Sequence, residues 1–199
     1  MKPQNLNDKV IIISVPDSSN SATLGFVTES NKIGLNVKPE IGLIRSHYVG
    51  RTFIQPEQKN RELRVKSKFN TVKGALNGRT VVIVDDSIVR GTTSKQLVKL
   101  IREANPKEIH FRVTSPPIRH PCQYGMDFPS HDELIANRVG GDVKKIEAEL
   151  AVDSLAYLSI ENLLIAAPKS DNRHYCTACF TGEYPIEVEK NHHKELNDS

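Results

Sequence analysis

The pattern of apolar and polar positions predicts alternating strands and helices along most of the chain. Residues 10–15 (VIIISV) and 80–84 (TVVIV) are nearly continuous apolar runs, which is typical of strands buried on both faces of a parallel sheet. Residues 108–114 (EIHFRVT) alternate between apolar and polar and stop at two prolines, so we expect a third strand there. A shorter strand is expected over residues 41–45 (IGLIR).

Three segments between these strands predict helices. Residues 93–104 place apolar side chains at helical spacing and end at an Asn-Pro pair. Residues 21–29 are expected to form a helix with Ser21 near its N-terminal cap, and residues 69–76 a helix that stops at Asn-Gly. Strands that alternate with helices in this way predict an α/β domain with a central, mostly parallel sheet flanked by helices.

The remaining segments suggest a division of the chain. Residues 48–68 are polar with little periodicity, and we expect a long loop, which inside a compact domain is usually functional. Beyond about residue 130 the pattern is more helical and then irregular. We therefore expect an N-terminal leader over residues 1–9, a core over 10–130, a helical and cysteine-bearing extension over 131–186, and a disordered tail over 187–199.

The composition of the 199 residues, 38% hydrophobic and 26% charged, is that of a soluble globular protein. No apolar run has the length of a signal peptide or a membrane span, so we expect a cytoplasmic protein with no membrane partner. The net charge of +3 is too small to argue for nucleic acid as a partner.

The chain has three cysteines, Cys122, Cys176 and Cys179, and the last two form a C-x-x-C pair. An odd number without a secretory signal argues against a disulfide framework. Two thiolates at this spacing can chelate one metal ion, but a buried cysteine is also a common small core residue. Both interpretations stay open from the spacing alone.

The stretch VVIVDDSIVRGTTS, residues 81–94, carries the strongest chemical pattern. Asp85 and Asp86 follow the predicted central strand at its carboxyl end, where parallel α/β sheets bind their ligands. Residues 87–93 then form a turn that opens into a helix, and the free N–H groups and the helix dipole favour an anion there. Carboxylates beside a phosphate would repel it unless a divalent ion or a sugar diol lies between them. The pattern therefore predicts a site for a phosphorylated sugar with Mg²⁺.

The structural alternative is that Thr92 or Thr93 only caps the helix and that the aspartates lie in a polar loop. The order of apolar strand, acidic pair, Gly-Thr-Thr turn and helix favours the binding site. The stretch is not a Walker A loop, because the Gly-Lys-Ser/Thr element is missing.

This stretch resembles the phosphoribosyl-pyrophosphate (PRPP) motif of type I phosphoribosyltransferases, and further blocks resemble the amidophosphoribosyltransferases within that family. These blocks are VPDSS (15–19), GLIRSHYVGRTFIQP (42–56), SPPIRHPCQYGMD (115–127), VDSLAYLS (152–159) and YCTACFTGEYP (175–185). The resemblance covers nearly the whole chain from residue 10 to residue 188. It implies the type I phosphoribosyltransferase fold, with a C-terminal helical and irregular extension.

The resemblance also implies roles for individual residues. PRPP would be bound by Asp85, Asp86, Ser87, Arg90, Gly91, Thr92 and Thr93. Ser18 would ligate Mg²⁺ together with the two aspartates, although VPDSS is locally an equally good strand-ending turn. Arg51 and Thr52, with Tyr48 nearby, would act in catalysis, in a basic loop that closes over the leaving pyrophosphate. A basic run such as this one, which ends at Lys68, is otherwise usually a solvated loop.

One branch of the amidophosphoribosyltransferases holds a 4Fe–4S cluster through cysteines that match Cys122, Cys176 and Cys179. The fourth cysteine of that cluster is expected upstream of the first strand, and this chain has only three cysteines. The resemblance thus implies a cluster if another ligand or partner completes it, and a lost cluster otherwise.

The function implied is the first step of de novo purine biosynthesis, in which PRPP and ammonia give 5-phosphoribosylamine and pyrophosphate. No cysteine precedes Cys122, so the nucleophile of the family's glutaminase domain is missing, and we expect a partial chain that uses ammonia or a separate glutaminase chain. A homo-oligomer is expected by resemblance. The alternatives are a non-catalytic PRPP-binding module, an inactive gene fragment or, with a poorer match, a phosphoribosyltransferase that acts on a base.

Overall fold

The structure, a computed structural model, describes residues 10–46, 68–126, 130–167 and 175–186. Its strands are β1 (Val10–Ser14), β2 (Val37–Pro39), β3 (Leu43–Arg45), β4 (Phe69–Thr71), β5 (Thr80–Asp85), β6 (Glu108–Val113) and β7 (Ser154–Tyr157). Five of them form a parallel sheet in the order β2-β1-β5-β6-β7, while β3 and β4 form a separate antiparallel pair. The central strand β5 therefore ends between two neighbours.

Helices connect the strands of the parallel sheet and follow its last strand. They are α1 (Asn20–Lys32), α2 (Lys73–Leu76), α3 (Thr92–Arg102), α4 (Ile135–Arg138), α5 (Val143–Leu150), α6 (Ile160–Ala166) and α7 (Ala178–Thr181), with a 3-10 turn over His131–Glu133. Helix α3 buries Leu97, Val98 and Ile101, as its apolar periodicity requires. Helix α5 begins at Asp142, whose carboxylate accepts a hydrogen bond from the Lys144 N–H at 2.8 Å.

The sheet separates two apolar layers. The larger layer packs one face of the strands against α3 and α5 and contains Ile13, Ile83 and Phe111, all fully buried. The smaller layer packs the other face, through residues such as Ile12 and Val82, against α1. All six residues of β5 are buried, so its carboxyl end is held in place from both faces and both edges.

The structure confirms the predicted fold class, and most of the predicted elements are present. The strands expected over 10–15, 80–84 and 108–114 are β1, β5 and β6, and the helices expected over 21–29 and 93–104 are α1 and α3 with shifted ends. Helix α1 begins at Asn20, so Ser19 occupies the cap position expected for Ser21. The strand expected over 41–45 is the shorter β3.

The helix predicted over residues 69–76 is wrong in its first half. Phe69–Thr71 is strand β4, and only Lys73–Leu76 is helical. The reason is tertiary, because Phe69 pairs with Arg45 and Thr71 with Leu43 in the antiparallel register, and such pairing overrides a local helical pattern. Strands β2 and β7 were not predicted.

No helix in the described part of the chain is long and apolar enough to cross a membrane. The leader 1–9, residues 48–67 of the loop predicted over 48–68, and the tail 187–199 lie outside the residues that the structure describes.

Candidate functional site

A cavity of about 500 Å³ opens where β1 and β5 end. Its wall contains Ser18 from the turn after β1, Arg45 at the end of β3, and Lys68 before β4. The acidic pair and the turn that leads into α3 complete the wall, through Asp85, Asp86, Ser87, Val89, Arg90, Gly91, Thr92, Thr93 and Ser94. The fold thus brings together all the residues predicted to bind PRPP, as well as the predicted metal ligand Ser18.

Asp85 is the last residue of β5 and is only 6% exposed. Its Oδ1 accepts hydrogen bonds from the Asp86 N–H at 2.9 Å and from the Ser19 hydroxyl at 3.3 Å. Its backbone carbonyl accepts one from the Thr114 N–H at 2.9 Å, which fixes the residue to β6. Burial, and then the neighbouring Asp86, raise the pKa of Asp85 to about 7. A carboxylate in this position requires either a proton or a nearby cation.

The oxygen atoms around Asp85 are of the chemical type that magnesium prefers. Asp86 is exposed, its Oδ1 accepts a hydrogen bond from the Ser87 N–H at 2.8 Å, and Ser18 is exposed in the same cavity. Mg²⁺ is usually bound through one or two carboxylates and takes its other ligands from water and substrate phosphates. The described residues contain no group of three or more His, Cys, Asp or Glu placed to hold a metal, so an ion here would depend on such additional ligands.

The turn after the acidic pair leaves the first turn of α3 open to an anion. Gly91 is the N-cap of this helix, with φ 77° and ψ −10°, a left-handed conformation that favours glycine. No side chain caps the helix, and its first turn contains no acidic residue. Thr92 and Thr93 are exposed and line the cavity. Backbone N–H groups without a cap, at the positive end of a helix, form an anion-binding site.

Arg90 borders the cavity, but its guanidinium is engaged with Glu133. The Arg90 Nε lies 3.2 Å from Glu133 Oε1, and Nη2 lies 3.5 Å from Oε2. The hydrogen bond from Arg90 is the main cause that holds the pKa of Glu133 below its ordinary value. A phosphate contact by this guanidinium would compete with the ion pair.

Sequence reasoning did not identify Ser19 and Arg45. Ser19 is fully buried and is the serine of VPDSS that bonds to Asp85, a distinction that two adjacent serines do not reveal in the sequence. Arg45 lines the cavity and its Nη1 lies 3.3 Å from Asp17 Oδ2. Its position at the end of a strand that precedes the basic loop was the available signal. The predicted catalytic residues Tyr48, Arg51 and Thr52 are not among the residues described.

The three cysteines are free thiols in a region remote in sequence from this turn. The carbonyl of Cys179 accepts hydrogen bonds from the N–H groups of Arg119 at 2.9 Å and His120 at 3.0 Å, which places residues 175–186 against the loop that carries Cys122. Burial raises the pKa of the Cys179 thiol, and the nearby Cys176 and Cys122 add to this. The described residues nevertheless contain no metal-binding group of three such side chains, so the placement gives no support to the expected cluster.

Comparison with known families and proteins shows what the chain is similar to. Residues 39–130 match the family model described as the phosphoribosyl transferase domain. An amidophosphoribosyltransferase of Arabidopsis thaliana is 51% identical over 176 residues, which are 88% of this chain and 30% of that protein. The Bacillus subtilis amidophosphoribosyltransferase is 46% identical over 181 residues, 89% of this chain and 37% of that protein.

A solved structure shares the fold. The glutamine PRPP amidotransferase of Bacillus subtilis, complexed with ADP and GMP, superimposes with a TM-score of 0.76 and 45% identity, over 93% of this chain and 40% of that one. This chain spans roughly a third of the length of the curated relatives that it matches.

Proposed function

Because the chain carries a phosphoribosyl transferase domain of the amidophosphoribosyltransferase type, we propose that it transfers the 5-phosphoribosyl group of PRPP to ammonia. The products are 5-phosphoribosylamine and pyrophosphate, the first step of de novo purine biosynthesis. The observation that carries this proposal is the buried Asp85 beside Asp86, followed directly by the uncapped helix start at Gly91. This arrangement offers acidic oxygens for a sugar and its metal next to an anion site for its phosphate.

The 5-phosphate binds in the turn before α3. The N–H groups of the first helical turn donate hydrogen bonds to it, and the hydroxyls of Thr92 and Thr93 add further donors. Gly91 lets the backbone approach the phosphate closely, since it has no side chain. The ribose hydroxyls then lie toward Asp85 and Asp86.

Asp85, Asp86 and Ser18 would hold Mg²⁺, which would offset the charge of the two carboxylates and of the pyrophosphate. The Ser19 hydroxyl keeps Asp85 oriented, because its hydrogen bond fixes the carboxylate from the buried side. A cation bound there would favour the ionised form of Asp85.

In the transfer itself, the nitrogen lone pair of ammonia forms a bond to carbon 1 of the ribose. The bond between carbon 1 and the pyrophosphate oxygen breaks, and its electron pair leaves with pyrophosphate. The ammonium group of the product then loses a proton to water. Arg45 and Lys68 stabilise the negative charge that develops on the leaving oxygen, and Tyr48, Arg51 and Thr52 act in the same step.

We further propose that the ammonia derives from glutamine through a glutaminase polypeptide, and that the protein works as a cytoplasmic homo-oligomer. The support is that the matched relatives are about three times as long as the aligned region, and one of them is a glutamine PRPP amidotransferase by its description. Whether the glutaminase belongs to the same polypeptide or to a separate chain does not change the chemistry at Asp85 and Asp86.

The test is pyrophosphate release from PRPP with Mg²⁺ and ammonium. Wild-type protein releases pyrophosphate, and the Asp85→Asn, Asp86→Asn double variant is reduced at least about a hundredfold, since it loses both carboxylates that hold the metal. The control is Glu29→Gln, which removes an exposed carboxylate in the last turns of α1 and leaves the rate unchanged. Equal release by the double variant contradicts the proposal. Tight PRPP binding by a folded wild-type protein that shows no release with any nitrogen donor contradicts catalysis and indicates a binding module.

A further inference from the structure

Residues 130–138, which the transfer reaction above does not use, pack directly behind residues 85–93, which we call the phosphate turn. We call residues 130–138 the brace. The N–H of Ile135 donates a hydrogen bond to the carbonyl of Val89 at 2.9 Å. Arg138 Nη1 donates one to the carbonyl of Arg90 at 3.4 Å. Two consecutive peptide units of the turn are therefore held by the brace through their backbone.

The brace also closes off the space behind Gly91. Ile135 is fully buried, and a Cβ atom added to Gly91 would overlap its Cδ1 atom. The turn consequently has a side chain against its back, while no side chain caps α3 and Thr92 and Thr93 line the cavity. A wall of this kind fixes a loop conformation before the ligand arrives.

The third contact joins side chains. Glu133 accepts hydrogen bonds from the N–H and the hydroxyl of Ser130, both at 3.2 Å, and it pairs with Arg90 through both carboxylate oxygens. Glu133 is thus held by its own turn before it meets Arg90. The Arg90 guanidinium is thereby tied to the brace, next to the cavity but engaged by a carboxylate.

The brace is itself anchored to the rest of the domain. The Asn137 side-chain amide donates hydrogen bonds to the carbonyl of Arg119 at 2.7 Å and to that of His131 at 2.9 Å. Arg138 pairs with Glu149 on α5 at 2.5 Å. These contacts give the brace a fixed position from which it can hold the turn.

We propose that the brace is a positioning element for the 5-phosphate, in which Glu133 is a positioning residue that acts through Arg90. Arg90 contributes by fixing the turn and not by contacting the phosphate. This inference rests on the proposed function for its kinetic readout, although phosphate binding alone also reports on it.

The experiment exchanges the two charges. Arg90→Glu and Glu133→Arg each raise KM for PRPP about fivefold and leave kcat within about twofold. The reason is that the free energy of an exposed ion pair corresponds to a change in affinity of about fivefold. The double exchange restores the pair in the opposite orientation and returns KM to within about twofold of the wild type. If Arg90 instead binds the phosphate, the double exchange places a carboxylate against it and KM stays raised, which overturns the proposal. Single exchanges without an effect on KM overturn it as well.

A milder variant and a second readout keep the test independent of folding and of turnover. Glu133→Gln retains the shape of the side chain and raises KM by about twofold to threefold. Inorganic phosphate also protects the protein against thermal unfolding, and this protection is largest in the wild type and the double exchange, smaller in Glu133→Gln, and smallest in the single exchanges. If phosphate protection follows this order while no variant releases pyrophosphate, the proposed transfer fails and the brace stands. The matched control, Glu29→Lys, reverses one charge of the exposed pair with Lys32 and changes neither readout.

Discussion

The phosphate turn, residues 85–93, and the cysteine segment, residues 175–186, both carry chemically reactive residues in a short motif, but the fold supports them differently. The turn grows out of the fully buried strand β5, and both Asp85 and Gly91 are buried. The cysteine segment contains a single four-residue helix, and Cys176 is exposed. One motif thus begins on a buried strand, whereas the other is partly exposed, with Cys179 half-buried.

The contacts of the two regions differ in what they leave unsatisfied. In the turn, two adjacent carboxylates and a helix start without a side-chain cap line the same cavity. These charges and donors can bind a ligand. In the cysteine segment, by contrast, the Tyr184 hydroxyl donates to the carbonyl of Pro121 at 2.6 Å and the Cys179 carbonyl accepts two N–H groups, so these polar groups have partners within the fold. A reactive motif indicates a ligand site when a buried strand holds it in place and its charged groups line a cavity.

The largest effect on stability and on turnover is expected at Gly91. Gly91→Ala combines a left-handed backbone with the overlap on Ile135, so we expect a loss of about 2–4 kcal/mol in the free energy of unfolding and no measurable pyrophosphate release. The control is Gly78→Ala, at φ 67° but with open space around the added atom, which costs about 1 kcal/mol and preserves turnover. Urea denaturation and the release assay measure both. Equal losses of unfolding free energy in the two variants would show that Ile135 of the brace does not restrict the turn at Gly91.

The pH dependence of stability separates the turn from an ordinary acidic surface. The folded protein holds the Asp85 proton up to about pH 7, whereas the unfolded chain loses it near the ordinary value of 3.8. The folded state therefore binds more protons in between, and the free energy of unfolding falls as pH rises from about 4 to 7, by up to about 4 kcal/mol, and is level above. Glu133, Glu147 and Asp153 act in the opposite sense only at lower pH, because the folded state lowers their pKa values.

Denaturant titrations of the ligand-free protein at several pH values measure this slope. Asp85→Asn removes it and makes the protein more stable than the wild type at pH 8, since no buried charge forms. If Asp85→Asn shows a pH slope of the same size, the slope belongs to other groups, and the argument that Asp85 is a buried carboxyl beside a cation site fails.

The smallest effects are expected in the cysteine segment. Tyr184→Phe removes one hydrogen bond to Pro121 and lowers the free energy of unfolding by about 1 kcal/mol, while turnover stays within about twofold of the wild type. Cys176→Ser, at an exposed position, changes stability by less than about 0.5 kcal/mol. Loss of turnover in either variant would show that this segment takes part in the site after all.

Much of the fold could be predicted because its signals are local. The apolar run of β5 and the strict alternation of β6, with Ile109, Phe111 and Val113 buried, each identify a strand without reference to the rest of the chain. Strand β4 could not be predicted this way, because its partner Leu43–Arg45 is distant in sequence. Strand β7 has only four residues and pairs on one edge, so its pattern is too short to stand out.

The candidate site shows the same limit. The acidic pair and the Gly-Thr-Thr turn lie in one continuous stretch, so the sequence was sufficient to group them. The contacts of Ser19 with Asp85, and of Glu133 and Ile135 with the turn, join residues 43 or more positions apart and arise only from folding. The choice between Ser18 and Ser19 likewise depends on which hydroxyl faces the core.

The most direct test of the central claim is a calorimetric titration of PRPP at pH 8, with and without Mg²⁺, into the wild type and Asp86→Asn. Asp86 is exposed, so this variant keeps its fold while it loses one carboxylate beside the metal. The expected result is PRPP binding that requires Mg²⁺ and that weakens at least about tenfold in Asp86→Asn. Equal PRPP affinity with and without Mg²⁺, or equal affinity in the wild type and the variant, would contradict the assignment of the acidic pair to a metal-bound ribose.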